Sequence, residues 1–394
     1  MRAALLALLL VLGGWTAVRA DALPGPRLEA FERVSIELPQ RAAGRVALRA
    51  YGRAFELVLS DNADLIGALR PRLRDRLPGD DRFLRGELAG IDGSWVRLNR
   101  IGGRVSGAFH DGEHLYLIDR AGGFRLPAGR RAPAGATLVF RLADLRPDAP
   151  IDAGGVRTDG SVAGHGAVFD DYARFSAHLR ELAVLEGTAA MALPITVVSD
   201  RRFGSRYGAN TESVVVGRVN LIDGIYGQQV GVGIQLLHHE RLADDGPMTA
   251  TDASGLLSQF RGWMDGGAGS GVPFEGLGHL FTARDLDGGT VGIAFLNVLC
   301  SSRVGYGVNQ DYGSDTYAAL IFAHEVGHNF GADHDDDRDS CPDGTIAGIM
   351  NSRITGADDF SRCSLDAMAP SVAGASCLVP VESTETIFGN GFEP

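Results

Sequence analysis

The chain contains no lysine, and all of its 37 basic residues are arginines. We interpret this bias, together with the 54 glycines, as a consequence of a GC-rich coding sequence and not as a functional feature of the protein. Acidic residues number 49, so the formal net charge is −12. Because a nucleic-acid-binding protein needs a basic surface, this balance argues against a nucleic-acid partner.

Long apolar runs are absent beyond the N-terminus. Residues 1–20 have the order of a signal peptide: Arg2, an apolar core over residues 3–12, and the small-residue sequence Val18-Arg19-Ala20. An uncleaved membrane anchor needs a longer apolar run. We therefore expect a secreted, extracellular protein, with the periplasm as an alternative location. We expect no membrane association after the signal peptide is cleaved.

Cysteine is scarce and confined to the C-terminal part of the chain. The four cysteines are Cys300, Cys341, Cys363 and Cys377. No CxxC spacing occurs, which argues against a zinc knuckle. An even number of cysteines in an exported chain favours two disulfides, and the sequence alone permits three pairings.

What the chain does contain is one dense polar motif, HEVGHNFGADHD, which begins at His324. The largely apolar residues before it predict a buried helix, with Asp315 or Thr316 as its N-cap. Histidines four residues apart share one face of a helix, so His324 and His328 can bind the same metal ion. Glu325 is rotated by about 100° from His324 and can reach a water molecule without being a ligand.

A glycine and a third histidine complete the motif. Gly331 stands where the helix should end, and a glycine there can take the left-handed conformation that turns the chain back. This turn brings His334 to the metal, which gives three protein ligands and one open position, as in catalytic zinc sites. A bare HExxH sequence occurs by chance, but Gly331, His334 and the downstream Met350 are independent requirements.

The sequence HExxHxxGxxHD, followed by the turn at Ile349-Met350, resembles the metzincin zinc peptidases. Asp335, after the third histidine, resembles the adamalysin/reprolysin branch, which includes ADAM proteases and snake-venom metalloproteinases. Residues 279–295 resemble the edge-strand region of that branch, and residues 193–200 resemble its first strand. The resemblance covers roughly residues 190–380.

The resemblance implies an α/β catalytic domain with a mixed, mainly parallel sheet, an active-site helix and a Met-turn, preceded by a β-rich propeptide domain. One catalytic Zn²⁺ is implied at His324, His328 and His334. Glu325 is implied as the general base and acid that acts on a zinc-activated water. The implied disulfides are Cys300–Cys377 and Cys341–Cys363.

Three further expectations follow from the family. An extended substrate should pair antiparallel with an edge strand over Gly289–Asn297, although its apolar residues could equally be plain core. Residues Ser352–Thr355 should form a wall of the S1′ pocket. Ca²⁺ is not expected at the usual family site, because Pro194 and Pro380 stand where relatives carry a glutamate and an asparagine.

The chain can be divided by pattern and by resemblance. Residues 21–150 alternate as strands do, and Asp92-Gly93 and Asp111-Gly112 indicate hairpin turns. The predicted segments are a signal peptide (1–20), a β-rich propeptide (21–150), a linker and helical segment (151–190, with a helix over Tyr172–Leu185), a catalytic domain (191–380) and a tail (381–394).

The chain departs from the family in how it could be kept latent. Many relatives use a propeptide cysteine that binds the zinc, but no cysteine precedes Cys300. His165 or a nearby aspartate is a candidate replacement, and an ordinary loop histidine is the alternative. We interpret His238 and His239 as a surface pair. The acidic run Asp333–Asp339 lacks the glycine and the final glutamate of an EF-hand loop, so we do not expect it to bind calcium.

These observations predict a monomeric, exported zinc endopeptidase, made as a zymogen, that hydrolyses protein or peptide substrates. An exopeptidase would need a group that anchors a free chain end, and no such group is evident. A catalytically inactive protease scaffold that acts as a secreted binding protein is the alternative from another class. The intact Glu325 argues against it, since inactive relatives often lose the base.

Overall fold

A computed structural model describes most of the chain. The described residues are 25–39, 42–146, 152–156, 191–267, 269, 271–336, 341, 348–353 and 356–381. The predicted signal peptide, the predicted helix over Tyr172–Leu185, His165 and the tail beyond residue 381 lie outside them. Within the described residues, no helix is both long enough and apolar enough to cross a membrane.

Residues 25–39 and 42–146 form an antiparallel β-structure. An eight-stranded sheet has the order β2-β9-β8-β7-β6-β5-β4-β3, and β1 pairs with β10 beside it. The strands are β1 (Arg27–Leu28), β2 (Glu32–Arg33), β3 (Ala43–Ala50), β4 (Arg53–Asp61), β5 (Arg82–Leu88), β6 (Trp95–Ile101), β7 (Arg104–His110), β8 (Leu115–Arg120), β9 (Thr137–Arg141) and β10 (Leu145–Arg146). Two short helices, α1 (Ala63–Ala68) and α2 (Pro71–Arg74), connect β4 to β5.

The second half is built on a mixed sheet. Its strands are β11 (Asp152–Val156), β12 (Met191–Ser199), β13 (Val232–Arg241), β14 (Leu277–Thr282), β15 (Thr290–Phe295), β16 (Tyr306–Gln310) and β17 (Val379–Pro380). The order is β11-β15-β16-β14-β12-β13, and β17 pairs with β12. β15 runs antiparallel to β16, whereas β12, β13, β14 and β16 run parallel to one another. This is the mixed, mainly parallel sheet that the sequence predicts.

Five described helices accompany this sheet. They are α3 (Arg201–Tyr207), α4 (Thr211–Gln229), α5 (Ala253–Met264), α6 (Asp315–Phe330) and α7 (Arg362–Gly374). α6 carries the HExxH motif and is buried along nearly its whole length, as its apolar sequence predicts. Its N-cap is Ser314, whose Oγ accepts a hydrogen bond from the Tyr317 amide, so the prediction of Asp315 or Thr316 was wrong by one or two residues. The Ser314 hydroxyl satisfies an amide that the first turn leaves unbonded.

The two halves share one hydrophobic core. One face of the antiparallel sheet closes on its own apolar cluster, which includes Val96 and Leu98 of β6. The other face packs on α4, because alternate residues of a strand point to opposite sides. There Trp95 and Arg97 lie so close to the helix that a Cβ atom on Gly224 would be 2.7 Å from the Trp95 ring. Glycine at this position therefore sets the distance between strand and helix.

Buried polar groups are paired across the same interface. Asn220 of α4 donates to Asn99 Oδ1 (2.8 Å) and accepts from Asn62 Nδ2 (2.8 Å). The Arg97 guanidinium donates twice to one carboxylate oxygen of Asp223, at 3.1 and 2.8 Å. Buried polar groups are costly unless they are hydrogen-bonded, so these pairs fix the two halves in one relative position.

The cysteines pair as the family resemblance implies. Cys300 bonds to Cys377, and Cys341 bonds to Cys363. The first disulfide joins the segment after β15 to the segment after α7. The second joins the stretch beyond the HExxH motif to the first turn of α7. Both disulfides hold chain segments that surround the end of α6.

Candidate active site

Three imidazoles converge at the C-terminal end of α6. The nitrogen atoms of His324, His328 and His334 all lie within 4.8 Å of one another, and this is the one such cluster of histidine, cysteine and acidic groups among the described residues. Their ring centroids are 4.7 to 5.3 Å apart. The helix supplies the first two histidines, and the turn after it supplies the third.

The turn depends on Gly331. It ends the helix with a φ of 109°, in the left-handed region that residues with a Cβ atom rarely adopt. Its amide donates to the His328 carbonyl at 2.9 Å, and the Ala332 amide donates to the Gly327 carbonyl at 3.1 Å. These bonds close the helix and send the chain back toward His334, as the spacing of the motif predicts.

Hydrogen bonds to backbone carbonyls fix two of the rings. His324 Nδ1 donates to the Ile349 carbonyl and His328 Nδ1 donates to the Ala332 carbonyl, each at 2.8 Å. A carbonyl can only accept, so each Nδ1 carries the proton and each neutral ring keeps a lone pair on Nε2. Burial, and then the neighbouring imidazoles, holds the pKa of His324 well below its usual value. Burial lowers the pKa of His328 to about 3.

This arrangement fits a zinc ion. The Nε2 atoms of His324 and His328 are 3.0 Å apart, and two lone pairs at that distance repel each other unless a cation lies between them. Nε2 of His334 is buried without a hydrogen-bond partner. Imidazole nitrogens bound about 2.1 Å from a tetrahedral zinc are about 3.4 Å apart, close to the spacing here. The donor set of three neutral imidazoles is one that zinc prefers.

Glu325 lies beside the imidazoles and faces β15. It is fully buried, and a Cβ atom on Gly292 would be 2.3 Å from Glu325 Oε1. Gly292 thus gives the carboxylate its room against the strand. Glu325 is not a member of the histidine cluster, and its action on a water molecule stays a prediction.

A tight turn from Gly348 to Asn351 packs against α6 and supports the imidazole cluster. The turn begins at Gly348, whose amide donates to Asn351 Oδ1 at 2.8 Å, and it buries Met350 completely. A Cβ atom on Gly327 would lie 2.3 Å from the Met350 sulfur, so the sulfur packs directly under the helix. Since the Ile349 carbonyl accepts from His324, this turn also orients the first imidazole.

Asp335 joins the turn to α7. Its amide donates to the Met350 carbonyl at 3.0 Å, and its Oδ1 accepts from Ser364 Oγ at 2.7 Å and from Ser361. The next residue, Asp336, accepts from the amide (2.9 Å) and hydroxyl (2.6 Å) of Ser352. Asp335 and Asp336 are therefore structural, which leaves little support for calcium there; residues 337–340 lie outside the described part. Of the predicted S1′ wall, only Ser352 and Arg353 are described.

Sequence reasoning missed a buried network behind the second histidine. Asn329 donates to the Phe295 carbonyl at 2.7 Å and accepts from His279 Nε2 at 2.9 Å. His279 Nδ1 in turn accepts from Asn309 at 3.0 Å. Burial lowers the pKa of His279 to about 3, so the ring is neutral and keeps this hydrogen-bond pattern. No sequence signal marks the network, because its members come from four separate elements, β14, β15, β16 and α6.

The prediction that His238 and His239 form a surface pair was wrong. His239 is buried, with Nε2 2.9 Å from Ser199 Oγ, and only His238 of that pair is partly exposed. β13 places alternate residues on opposite faces, so neighbouring histidines have different environments. Neither belongs to the cluster of three imidazoles.

Comparison with known proteins points to the same segment of the chain. Residues 190–361 match the family model described as Metallo-peptidase family M12, of the Reprolysin_5 type. Over 106 residues, 26% of this chain, the sequence is 37% identical to a human protein named disintegrin and metalloproteinase domain-containing protein 9. The matched segment covers 13% of that relative, so the similarity concerns one part of a much longer protein.

Proposed function

We propose that this chain is a zinc-dependent endopeptidase, because residues 190–361 match the family model described as Metallo-peptidase family M12. The observation that carries the proposal is the cluster of three imidazoles beside the buried carboxylate of Glu325. His324, His328 and His334 would hold the zinc through their Nε2 atoms. When bound, zinc polarises the scissile carbonyl and lowers the pKa of a water molecule.

The chain's own groups supply the proton transfers. Glu325 accepts a proton from the attacking water and delivers it to the leaving amine as the peptide bond breaks. The lack of a side chain at Gly292 gives this carboxylate its place against β15. The hydrogen bonds from His324 and His328 to backbone carbonyls keep both Nε2 lone pairs directed at the metal position.

The substrate is a polypeptide that lies extended along β15, antiparallel to it. β15 borders the cleft and stands next to Glu325. The expectation of a free edge strand was wrong for this structure, because β11 pairs with the outer side of β15. Once β11 leaves, an extended backbone can bind the strand through hydrogen bonds, which suits cleavage within a chain rather than at its ends. We further propose that the protein is exported as a zymogen and that residues 21–150 are its propeptide.

The test of this proposal measures zinc and peptide cleavage on the same preparations. The protein matured by limited proteolysis should contain about one zinc per chain and cleave casein. Glu325→Gln should keep the zinc and lose at least about a hundredfold in activity, because a general base contributes 10²–10⁴. His334→Ala should lose both zinc and activity, since an open three-ligand site cannot spare a ligand.

Two matched controls separate these effects from general damage. Glu275→Gln changes an exposed carboxylate, and His238→Ala changes a partly exposed histidine, both within the residues that remain after maturation. Both controls should keep zinc and activity. Undiminished cleavage by Glu325→Gln would rule out the mechanism. Stoichiometric zinc without cleavage of any peptide would favour the inactive scaffold instead.

A further inference from the structure

One face of α4 is in contact with the antiparallel sheet along most of the helix. Residues three or four apart share a face of a helix. On α4 this face consists of Gly217, Asn220, Gly224 and Gln228. Their contacts in the sheet region are, in the same order, Ile101, Asn99, Trp95 and Gly93. β6 and the turn before it thus run antiparallel to the helix over about 16 Å, at 1.5 Å per helical residue.

Two glycines bring the helix and the sheet into direct contact. A Cβ atom on Gly217 would be 3.0 Å from Asn99 Nδ2, and one on Gly224 would be 2.7 Å from the Trp95 ring. The valine, leucine and isoleucine residues of α4 are all buried. A helix that is apolar all round belongs in a core. Departure of the sheet would expose this face to water, so α4 has the sequence of a helix whose partner stays.

The sheet also completes the start of the helix that carries the HExxH motif. β8 lies beside α6. Asp119 of β8 accepts hydrogen bonds from the amide (3.0 Å) and the hydroxyl (2.7 Å) of Thr316, in the first turn of α6. A Cβ atom on Gly123 would be 2.7 Å from Cβ of Ser314, the N-cap. Without the sheet, α6 would lose a charged cap that the helix dipole favours.

A second path of hydrogen bonds leads from β8 to the first imidazole. The Leu115 amide donates to Asp358 Oδ2 at 2.9 Å. The carbonyl of the next residue, Asp359, accepts from the Ile349 amide at 2.9 Å, and the Ile349 carbonyl accepts from His324. The loop 356–360 is thus held between the sheet and the turn that orients His324. Groups that orient a metal ligand from behind contribute to metal affinity.

We propose that residues 25–146 stay bound to residues 191–381 after the chain between them is cut, and that they form a second, non-covalent chain of the active peptidase. The partner that this face of α4 fits is thus the N-terminal half of the same chain. Its role is to cap α6 and to hold the loop 356–360. The inference rests on the proposed function for the activity of the complex, whereas the binding of the two fragments is independent of it.

The composition of the cut protein tests the proposal directly. The unmodified precursor is cut by limited proteolysis between its two halves and run on a size-exclusion column without denaturant. Both fragments should elute in one peak, in equal amounts by mass spectrometry, and cleavage of a fluorogenic peptide should follow that peak. Activity in a peak that contains only the C-terminal fragment would overturn the proposal.

A substitution in the N-terminal half reports on the active form itself. Asp119→Ala removes the cap of α6, so the cut protein should bind zinc at least tenfold more weakly in competition with a chelator. Asp80→Ala, at an exposed position in the same half, should bind zinc like the unmodified protein. An enzyme that has lost residues 25–146 cannot respond to a change within them. Equal zinc affinity of the cut Asp119→Ala and unmodified proteins would therefore contradict the proposal.

A substitution in the contact between α4 and the sheet should weaken the complex. Gly224→Ala puts a Cβ atom against the Trp95 ring, so the dissociation constant of the two fragments should rise at least tenfold in analytical ultracentrifugation. Gly262→Ala in α5, where a Cβ atom would meet nothing within 4 Å, should leave this constant unchanged. If both variants had the same dissociation constant, this face of α4 would not hold the fragments together.

The outcomes separate this proposal from the proposed function. If the fragments elute together but neither their complex nor the C-terminal fragment cleaves any peptide, the proposed function fails and the non-covalent assembly stands. If the fragments separate and the C-terminal fragment alone is active, the proposed function stands and the second chain is wrong. The elution experiment uses the unmodified protein, so it decides the matter even if Asp119→Ala or Gly224→Ala does not fold.

Discussion

At the residue scale, the imidazole cluster depends on side chains that never touch the metal position. Asn329 is the clearest case. Its Nδ2 donates to the Phe295 carbonyl of β15 and, at 3.2 Å, to the Tyr306 carbonyl of β16, and its Oδ1 accepts from His279. The residue therefore ties the last turn of α6 to two strands, directly after the second histidine of the motif.

Removal of this side chain should weaken both the fold and the metal site. Asn329→Ala leaves buried hydrogen-bonding groups without a partner, so the free energy of unfolding should fall by about 1–3 kcal/mol. Zinc affinity should fall by about tenfold or more, as for other groups that orient ligands indirectly. Urea unfolding and competition with a zinc chelator measure the two effects.

Asn210→Ala is the matched control for this experiment. Asn210 precedes α4 but its side chain makes no capping hydrogen bond there. The variant should keep its zinc affinity and most of its stability. If Asn329→Ala were as stable and as tightly metallated as Asn210→Ala, the network would have no part in holding His328.

At the element scale, the N-terminus of α6 is capped from the other half of the chain. Asp119 of β8 is buried, and its Oδ2 accepts from the Thr316 amide at 3.0 Å and from the Thr316 hydroxyl at 2.7 Å. A carboxylate at a helix N-terminus is favoured by the helix dipole. The β-structure thus stabilises the start of the helix whose other end holds the imidazoles.

The same carboxylate makes stability depend on pH. Burial, and then the nearby charge of Asp315, raises the pKa of Asp119, although the Thr316 hydrogen bonds oppose the shift. At pH values above about 4, the ordinary pKa of an aspartate, the folded protein therefore binds more protons than the unfolded chain. The Asp119 contribution to stability must then fall as pH rises through this range.

Asp119→Asn removes this titration. In urea unfolding of the precursor at a series of pH values, the unmodified protein should lose stability relative to the variant as pH increases from about 4. Asp80→Asn, at an exposed position, should follow the unmodified protein. If the free energies of unfolding of the unmodified protein and of Asp119→Asn differ by the same amount at every pH, the pKa of Asp119 is the same in the folded and unfolded states, which contradicts the prediction.

At the scale of the whole molecule, the antiparallel sheet packs against the C-terminal half of the chain through a shared apolar core. α4 is buried on nearly all sides, and one apolar cluster contains residues from both halves. The paired Asn62, Asn99 and Asn220 lie inside this contact. Separation of the halves would expose apolar surface and leave these amides without their partners, so we expect the two halves of the precursor to unfold in one transition.

Two tryptophans report on this cooperativity. Trp95 is in the antiparallel sheet and Trp263 is in α5, while Trp15 lies in the predicted signal peptide. In the precursor, Trp263→Phe leaves Trp95 as the reporter, and Trp95→Phe leaves Trp263. Each reporter should change fluorescence at the same urea concentration as the far-UV circular dichroism of the same variant.

A transition of either reporter that is separate from the circular dichroism would contradict a single cooperative unit. In that case the antiparallel sheet unfolds separately and is an independent domain that packs against the C-terminal half. Comparison within each variant removes the effect of the substitution on overall stability.

The sequence by itself determined the local features of this protein. Helical spacing placed His324 and His328 on one face, and Gly331 predicted the turn toward His334, because these depend on residues close in the chain. The strands and hairpins of the first half followed from alternation and turn residues. The disulfide pairing needed the family resemblance, since spacing alone permits three pairings.

Only the tertiary structure decided the features that join distant segments. The Asn329 network, the cap from Asp119 and the pairing of β11 with β15 bring together groups that are far apart in sequence. Such contacts depend on packing and register, which leave no periodic signal in a single chain. The motif therefore predicted which side chains converge at the site, whereas the pairing of β11 with β15, in a segment predicted to be linker, was visible only in the tertiary structure.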